Sequence, residues 1–361
     1  MRLRAYSGPA MAIASAVLFG ASTPLAKLLL GGGMTPWLLA GLLYLGSGIG
    51  LGVLHLIQRT SGRPPAEAPL LRGDIPWLAL VVLFGGVAGP VLLMAGLSHT
   101  PASSAALLLN IEGLATMGIA WIVFKESVDR RLLLGAFAIL AGAVLLSWQG
   151  GPGDIGPGGI GPGAIAIVGA CVAWGIDNNL TRKLSSADPV QIAMIKGLTA
   201  GTVNLVLALS RGAGIPAPPE IAAAAVVGFL GYGVSLVLFV LALRHLGSAR
   251  TGAYFSTAPF IGAILAVGLF GEPVTTQLVL AAILMGIGLY LHLAEQHEHE
   301  HVHEAMEHAH RHVHDEHHQH EHGPDDPAGQ PHTHVHRHQP MTHRHPHYPD
   351  LHHRHGHAPP S

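Results

Sequence analysis

The chain has 361 residues, of which 49% are hydrophobic and 11% are charged, whereas a soluble domain carries roughly 25% charged residues. Its formal net charge of -2 and its lack of nucleotide-binding or catalytic motifs argue against nucleic-acid binding and against an enzyme. The composition indicates a protein that crosses a lipid bilayer several times.

Ten apolar segments, separated by charges or by Gly and Pro, predict an all-α membrane protein with ten spanning helices. In chain order they cover residues 10–30, 36–57, 75–97, 102–124, 132–148, 163–181, 189–209, 220–243, 248–270 and 276–293. The first segment extends through Pro24 and Lys27, which favours a membrane helix over a cleaved signal peptide. The one cysteine, Cys171, lies inside the sixth segment and is expected to be a small buried residue.

Lys and Arg are distributed unevenly among the loops between these segments. If the N-terminus is cytoplasmic, Arg211 is the one cation in an outer loop. The inner side then holds Arg2, Arg4, Arg59, Arg63, Arg72, Lys125, Arg130, Arg131, Arg182, Lys183, Arg244 and Arg250. Because cytoplasmic loops are enriched in Lys and Arg, we expect both termini in the cytoplasm of a bacterium and the protein in its inner membrane.

The two halves of the chain repeat each other weakly at an offset of 146 residues. The aligned residues are Leu97 and Leu243, His99 and His245, Phe124 and Phe270, Glu126 and Glu272, and Val128 and Val274. Five spans per half is an odd number, so the second half is predicted to be inverted relative to the first. Repeats of this kind are typical of secondary transporters, whose substrate site lies between the repeats.

This pattern resembles the EamA-type branch of the drug/metabolite transporter superfamily over roughly residues 10–293. The matching residues are the run Phe19–Lys27, Trp174-Gly175 with Arg182-Lys183, Phe124-Lys125-Glu126, and Phe270-Gly271-Glu272. Pro259 matches a mid-helix proline of the family, whereas helix 4 departs from the pattern, with Gly113 in register and Glu112 beside it. The resemblance implies two five-helix repeats, residues 1–148 and 163–295, joined by an external Gly/Pro-rich linker at 149–162.

Polar side chains inside apolar spans are candidates for a substrate site, because an ionisable group in a membrane usually faces a cavity or a partner. The candidates are Ser22, Thr23, Lys27, Asn110, Glu112, Trp174, Asp177, Asn178, Lys196, Tyr254 and Thr257. Glu112 is expected either to bind substrate or a proton, or to form a structural hydrogen bond to a neighbouring helix. Lys196 either pairs with Glu112 or extends its ammonium group to the inner membrane surface.

Helices 6 and 1 contribute further candidates. Asp177 and Asn178 either line the substrate site or lie at a hydrated helix end, since they fall near the inner end of helix 6. Pro24 frees a backbone carbonyl and predicts a local opening of helix 1 before Lys27.

Helix 9 and the helix ends give the remaining candidates. Tyr254 and Thr257 fall on one face of a helix that Pro259 is expected to bend. Glu126 and Glu272 are expected to cap helices or to pair with charges at the membrane surface, with a gating function as the alternative.

The tail, residues 296–361, holds 23 of the 27 histidines and consists of two copies at an offset of 35 residues. The recurring histidines are His297, His299, His301, His303, His308, His310, His312, His317, His318, His320 and His322, and then His332, His334, His336, His338, His343, His345, His347, His352, His353, His355 and His357. Imidazole is a good ligand for zinc, nickel, copper and cobalt, so we expect divalent metal binding by an otherwise disordered tail. The alternative is a disordered segment that responds to pH.

Three functional hypotheses follow. The first is a transporter that moves a small metabolite outward by alternating access, with no cofactor required and a metal- or pH-sensing tail. The second is a transporter of zinc, nickel or cobalt, although the apolar spans contain no clear cluster of metal ligands. The third is a membrane-bound metal sensor or metal store that transports nothing.

Overall fold

The computed structural model describes residues 7–60, 70, 72–124, 130–148, 161–181, 184, 188–239, 241–242, 251, 254–293, 297–303, 306–312, 332–338 and 341–347. The helices of the first half are α1 (Ser7–Gly31), α2 (Pro36–Thr60), α3 (Ile75–Val81), α4 (Gly89–His99), α5 (Ala102–Leu108), α6 (Ile111–Phe124) and α7 (Arg130–Ser147). Those of the second half are α8 (Pro162–Thr181), α9 (Pro189–Ser210), α10 (Pro218–Gly228), α11 (Ala258–Phe270) and α12 (Thr276–Leu293). Two π-helical segments, Val82–Ala88 and Phe229–Val234, continue α3 and α10.

The helices agree with the predicted spans. Within the described residues, eight helical segments are long and apolar enough to cross a membrane, and two more apolar helices, Ala258–Phe270 and Thr276–Leu291, are shorter. Large apolar side chains such as Ile122, Phe137 and Ile264 are mostly exposed, as expected for surfaces that face lipid. The prediction of a multi-pass helical membrane domain is confirmed, whereas the number of ten crossings stays a prediction.

Four of the predicted spans contain an interruption of the regular α-helix. The third and eighth spans contain the π-helical segments, and the fourth and ninth contain turns at Leu109–Asn110 and Ser256–Thr257. The 146-residue offset maps the first π-helical segment onto residues 228–234 and the first turn onto residues 255–256. The interruptions therefore recur at equivalent places in the two halves, within one residue.

The prolines act differently from what their sequence positions predict. Pro259 lies at the start of α11 and follows the turn, so it begins a helix instead of bending one. Helix α1 is continuous through Pro24, and the local opening predicted before Lys27 is not present in it. Helix 4 is interrupted without any proline, because its turn is closed by side chains of neighbouring helices, as described below.

Helices α2 and α9 pack closely because glycines line their contact. A methyl group added at Gly41 would lie 2.8 Å from the backbone nitrogen of Leu205, and one added at Gly197 would lie 2.7 Å from that of Gly48. Small residues allow two helix backbones to approach in this way inside a membrane. The contact holds one helix of each half together and so fixes Tyr44 of α2 and Lys196 of α9 relative to the interrupted helices.

The tail contains four strands in the parts that the structure describes. These are β1 (His297–His303), β2 (Met306–His312), β3 (His332–His338) and β4 (Met341–His347). Strand β1 pairs antiparallel with β4, and β2 pairs antiparallel with β3, so each strand of the first copy pairs with a strand of the second. The prediction of a wholly disordered tail is wrong for these four segments, because alternating positions in both copies allow an in-register backbone ladder.

Candidate substrate site at the helix interruptions

Asp177 of α8 and Lys196 of α9 form an ion pair. The two side chains are 7% and 19% exposed, and the Thr181 hydroxyl lies 3.3 Å from the other Asp177 oxygen. Burial of Asp177 shows that the alternative of a hydrated helix end is wrong for this residue, although Asn178 is exposed. The predicted pairing of Lys196 with Glu112 is also wrong, since the ammonium group of Lys196 lies against Asp177 instead.

The first π-helical segment presents backbone carbonyls to this ion pair. A π-helical turn disrupts the regular helical hydrogen bonds and leaves carbonyl groups that need other donors. The Gly85 carbonyl accepts from Tyr44 Oη at 2.7 Å and from Trp174 Nε1 at 3.0 Å. The next carbonyl, of Gly86, accepts from Asn204 Nδ2 at 2.9 Å. Trp174 was predicted from sequence, whereas Tyr44 and Asn204 were missed.

Gly85 cannot carry a side chain in this arrangement. A methyl group at this position would overlap the Asp177 carboxylate and would lie 2.5 Å from Lys196 Nζ. The glycine therefore allows the ion pair to pack directly against the irregular backbone of the third span.

The turn at Leu109–Asn110 is closed by side chains. Asn110 Nδ2 donates to the Leu107 carbonyl at 2.8 Å and lies 3.9 Å from the Met285 sulfur, and Cys171 Sγ lies 3.7 Å from the Leu108 carbonyl. The Leu107 carbonyl also accepts from the Asn110 backbone nitrogen at 3.1 Å, so Asn110 closes the turn with both its backbone and its side chain, and Cys171 adds a donor to the Leu108 carbonyl. The buried position predicted for Cys171 is confirmed.

Glu112 lies in the first turn of α6, directly after this interruption. Its Oε1 accepts from Asn178 Nδ2 at 3.0 Å, and the same amide lies 3.1 Å from Thr116 Oγ1. The Thr116 hydroxyl in turn donates to the Glu112 carbonyl at 2.9 Å. Glu112 is half-buried and has no ion-pair partner in the part of the chain that the structure describes. Thr116 was missed because a lone threonine on an apolar helix gives no distinct signal.

Two of the predicted residues of helix 1, Ser22 and Lys27, donate to backbone carbonyls. Ser22 and Thr23 are buried, and Ser22 Oγ donates to the Phe19 carbonyl at 2.6 Å. Lys27 donates to the carbonyls of Leu97 and Thr100, the latter at 3.0 Å. Lys27 therefore stabilises the end of α4.

Glu272 caps the helix that follows α4. Its carboxylate accepts from the backbone nitrogens of Ala102 and Ser103 at 2.7 and 3.0 Å and from the Ser103 hydroxyl. Carboxylates stabilise helix N-termini because they satisfy free N–H groups and complement the helix dipole. The structural interpretation of Glu272 is confirmed, while the equivalent Glu126 lies outside the described residues.

The ninth span contributes aromatic contacts near its turn. Thr257 Oγ1 donates to the Tyr254 carbonyl at 2.6 Å, so these two predicted residues do lie together. Next to them, Phe255 lies 5.3 Å from the Phe19 ring, and Phe19 lies 6.0 Å from the Tyr232 ring. The Tyr232 and Tyr44 rings lie 5.6 Å apart with their planes tilted by 39°, which connects the ninth span to the carbonyl-binding tyrosine of α2.

The structure thus places the predicted residues in separate groups. Trp174, Asp177 and Lys196 contact the first π-helical segment. Glu112 shares a hydrogen bond with Asn178, the residue that follows Asp177. Asn110 closes the turn beside Glu112. Lys27 binds the end of α4, Ser22 interacts with Tyr232 of the second π-helical segment, and Tyr254 and Thr257 approach these groups through the aromatic rings. The described residues contain no group of three or more His, Cys, Asp or Glu arranged to hold a metal ion.

Comparison with known proteins gives a family. The model of the EamA-like transporter family matches residues 6–148 and 161–294. An uncharacterized transporter of Methanothermobacter thermautotrophicus is 28% identical over 288 residues, which cover 77% of this chain and 84% of that protein. The uncharacterized inner membrane transporter YedA of Escherichia coli K12 is 25% identical over 71% of this chain and 83% of its own length.

Two further similarities are more limited. A probable 4-amino-4-deoxy-L-arabinose-phosphoundecaprenol flippase subunit, ArnE of Pseudomonas paraeruginosa, is 40% identical over 82 residues, which are 23% of this chain and 69% of ArnE. One crystal structure of a protein with 19% sequence identity covers 79% of this chain and 95% of its own, with a TM-score of 0.57. At that identity the structural similarity shows the fold alone.

Proposed function

Because the chain belongs to the EamA-like transporter family, we propose that it is a secondary transporter that exports a small metabolite by alternating access. The proposed site lies between the two halves, which we take to be inverted repeats, near the middle of the predicted spans. The proposed setting is a bacterial inner membrane, with both termini in the cytoplasm and residues 149–162 outside.

The observation that carries this proposal is the set of four helix interruptions at equivalent places in the two halves. Inside a membrane, irregular backbone is tolerated where it is buried in protein or lines a hydrated cavity. In secondary transporters such interrupted helices build the substrate site at the interface between repeats. Here Glu112 and Asn178, with the Asp177–Lys196 ion pair, lie directly beside the interruptions of the third and fourth spans.

The test compares metabolites and metals in cells. Strains that lack or overproduce the protein are compared by untargeted analysis of the medium and by measurement of cellular metal content. We expect one or a few small metabolites to accumulate outside on overproduction and to be depleted outside on deletion. Unchanged metabolites together with altered cellular zinc, nickel or cobalt would contradict the proposal and favour the metal-transport alternative.

For the tail, we propose binding of divalent metal ions such as zinc, nickel, cobalt or copper. The antiparallel register supports this proposal, because it sets His299 opposite His345 and His310 opposite His334. Positions directly opposite each other in such a ladder have Cα atoms roughly 4.5–5.5 Å apart, so one ion has ligand positions available from both copies of the repeat. His317, His318, His320, His322, His352, His353, His355 and His357 lie outside the described residues.

The paired register gives the tail proposal a specific test. We expect zinc binding by the full-length protein in detergent to weaken less when His299 and His345 are both replaced by Ala than when His299 and His310 are both replaced. The first variant removes the two members of one opposed pair, whereas the second removes the same number of imidazoles and breaks two opposed pairs. Equal weakening would support interchangeable sites on an unstructured tail, and no binding by the unmodified protein would refute metal binding altogether.

A further inference from the structure

Both copies of the tail repeat keep a methionine at the same position. In each copy the two strands hold histidine at alternating positions, and seven strand positions hold other residues. The two copies differ at six of these seven positions and agree at one, which is Met306 in the first copy and Met341 in the second. In the strands, the methionine is therefore the one feature besides the histidines that the two copies share.

The antiparallel register sets each methionine opposite a histidine of the other copy. Met341 begins β4 and is opposite His303 at the end of β1, while Met306 begins β2 and is opposite His338 at the end of β3. Every other histidine position of these four strands is opposite another histidine. The described part of the tail thus contains two kinds of opposed pair.

Further histidines share a face with each methionine. Residues two apart along a strand lie on the same face, about 6.5 Å from each other, and diagonal neighbours across a ladder are about 7–8 Å apart, within reach of long side chains. Each ladder therefore ends in one methionine and three histidines on a single face, here called a Met–His group. The two groups are Met341 with His301, His303 and His343, and Met306 with His308, His336 and His338.

The other face of each ladder carries charges that support this register. Glu300 is opposite Arg344, and Glu307 is opposite Arg337. Opposite charges at directly opposed positions stabilise a ladder by about 0.2–1 kcal/mol per pair. A slip by one residue would lose both charge pairs and would also separate each methionine from its histidine. The charges thus favour pairing of the first copy with the second in the register that builds the Met–His groups.

The thioether of methionine selects the ion that suits these groups. Soft sulfur ligands favour Cu(I), and imidazole also binds copper. Zinc in proteins is held by Cys, His, Asp and Glu, so a methionine adds nothing to a zinc site. The proposed cytoplasmic side of the tail is a reducing environment, which favours Cu(I) over Cu(II).

We propose that each Met–His group binds one Cu(I) ion, while the pairs of opposed histidines farther along the ladders bind divalent ions such as zinc. This proposal rests on the proposed metal binding by the tail and adds a second class of ion with its own ligand positions. It does not depend on what the membrane domain transports.

The test titrates Cu(I) into the purified full-length protein in detergent, without oxygen and with ascorbate, against the coloured Cu(I) chelator bicinchoninate. Zinc is titrated separately. Replacing Met306 and Met341 together by Leu keeps their size but removes the thioethers, and it should leave zinc binding unchanged. We expect the Cu(I) affinity to fall by at least about tenfold, since changes to residues that merely support a ligand already cost about 10–100-fold.

Two matched histidine variants separate the copper positions from the zinc positions. His303→Ala with His338→Ala removes the partner of each methionine but breaks no pair of opposed histidines, so it should weaken Cu(I) binding and largely spare zinc binding. His297→Ala with His332→Ala is the control, since it removes the same number of imidazoles at equivalent positions outside the Met–His groups. It breaks two pairs of opposed histidines, so it should weaken zinc binding and spare Cu(I) binding.

The ligand itself is checked by X-ray absorption at the copper edge, which should show a sulfur ligand that disappears when Met306 and Met341 are replaced by Leu. Cu(I) binding that survives this replacement would overturn the proposal, as would equal loss of Cu(I) binding in the two histidine variants. Either result, with zinc binding intact, would leave the divalent-metal proposal standing. Methionine-dependent Cu(I) binding without any zinc binding would support the copper sites and contradict divalent binding.

Discussion

The ion pair between Asp177 and Lys196 gives the sharpest prediction about stability. Replacing Lys196 by Gln leaves the Asp177 carboxylate, 7% exposed, with the Thr181 hydroxyl as its remaining side-chain partner. Replacing Asp177 by Asn leaves an ammonium group that is 19% exposed and that keeps an amide oxygen as an acceptor. The double replacement removes both charges and leaves two amides that can hydrogen-bond to each other.

These differences in burial set the expected free energies. Breaking a buried pair and leaving one charge costs about 3–5 kcal/mol, and the Thr181 hydroxyl that remains beside Asp177 places Lys196→Gln near the lower end, at about 3 kcal/mol. Asp177→Asn weakens one hydrogen bond to a charged group and should cost about 1.5 kcal/mol. The double variant should cost only about 2 kcal/mol, so the interaction energy is about 2.5 kcal/mol, in the range of residues in direct contact.

The assay is equilibrium unfolding of the purified variants in mixed micelles, followed by tryptophan fluorescence. Lys196→Gln combined with Glu220→Gln is the control cycle, since Glu220 lies at the exposed start of α10 and should be additive with Lys196 within about 0.5 kcal/mol. If Asp177→Asn and Lys196→Gln were also additive within that limit, the ion pair would contribute nothing specific and the reasoning would be refuted.

Four other predictions follow from the same structure. Gly85→Ala should destabilise the protein by about 1–3 kcal/mol because the new methyl group overlaps Asp177. Gly118→Ala is the control, since open space surrounds it, and it should be neutral or stabilising by up to about 1 kcal/mol. Equal effects of the two replacements in the unfolding assay would contradict the packing argument. Glu272→Ala should lower the free energy of unfolding by about 0.5–2 kcal/mol through loss of the cap on α5. Glu272→Gln should recover part of this loss. An unchanged unfolding midpoint in Glu272→Ala would show that the cap does not stabilise the protein. Deletion of residues 296–361 should leave the unfolding midpoint and basal transport unchanged but remove most zinc binding. Calorimetry on the full-length protein should show that zinc binding weakens below about pH 6.5, because protonated imidazole is no longer a ligand. Zinc binding that does not depend on pH would point to other ligands. A cysteine introduced in residues 149–162 should react with a membrane-impermeant reagent in intact cells, whereas one placed in the tail should not, and the reverse pattern would overturn the proposed topology.

The sequence determined the parts of the structure that depend on local composition. Apolar segments of about 20 residues can satisfy their backbone groups in a membrane only as helices, so composition and length located the helical segments without tertiary information. A capping function of Glu272 was predicted from its position at the end of a span, whereas the helix that it caps, α5, is 170 residues away and was not predicted. The family resemblance was carried by the order of several weak motifs and is confirmed by the family match to both halves.

Which polar residues meet depends on how the helices pack. Lys196 pairs with Asp177 and not with Glu112, because α8 and α9 both pack against the first π-helical segment, where Gly85 leaves room for the two side chains. At the turn Leu109–Asn110 the Leu107 carbonyl accepts from Asn110 itself, whereas the Leu108 carbonyl lies beside the thiol of Cys171, 63 residues away in the chain. A pattern along the sequence records which residues are polar but not which of them become neighbours when the helices pack.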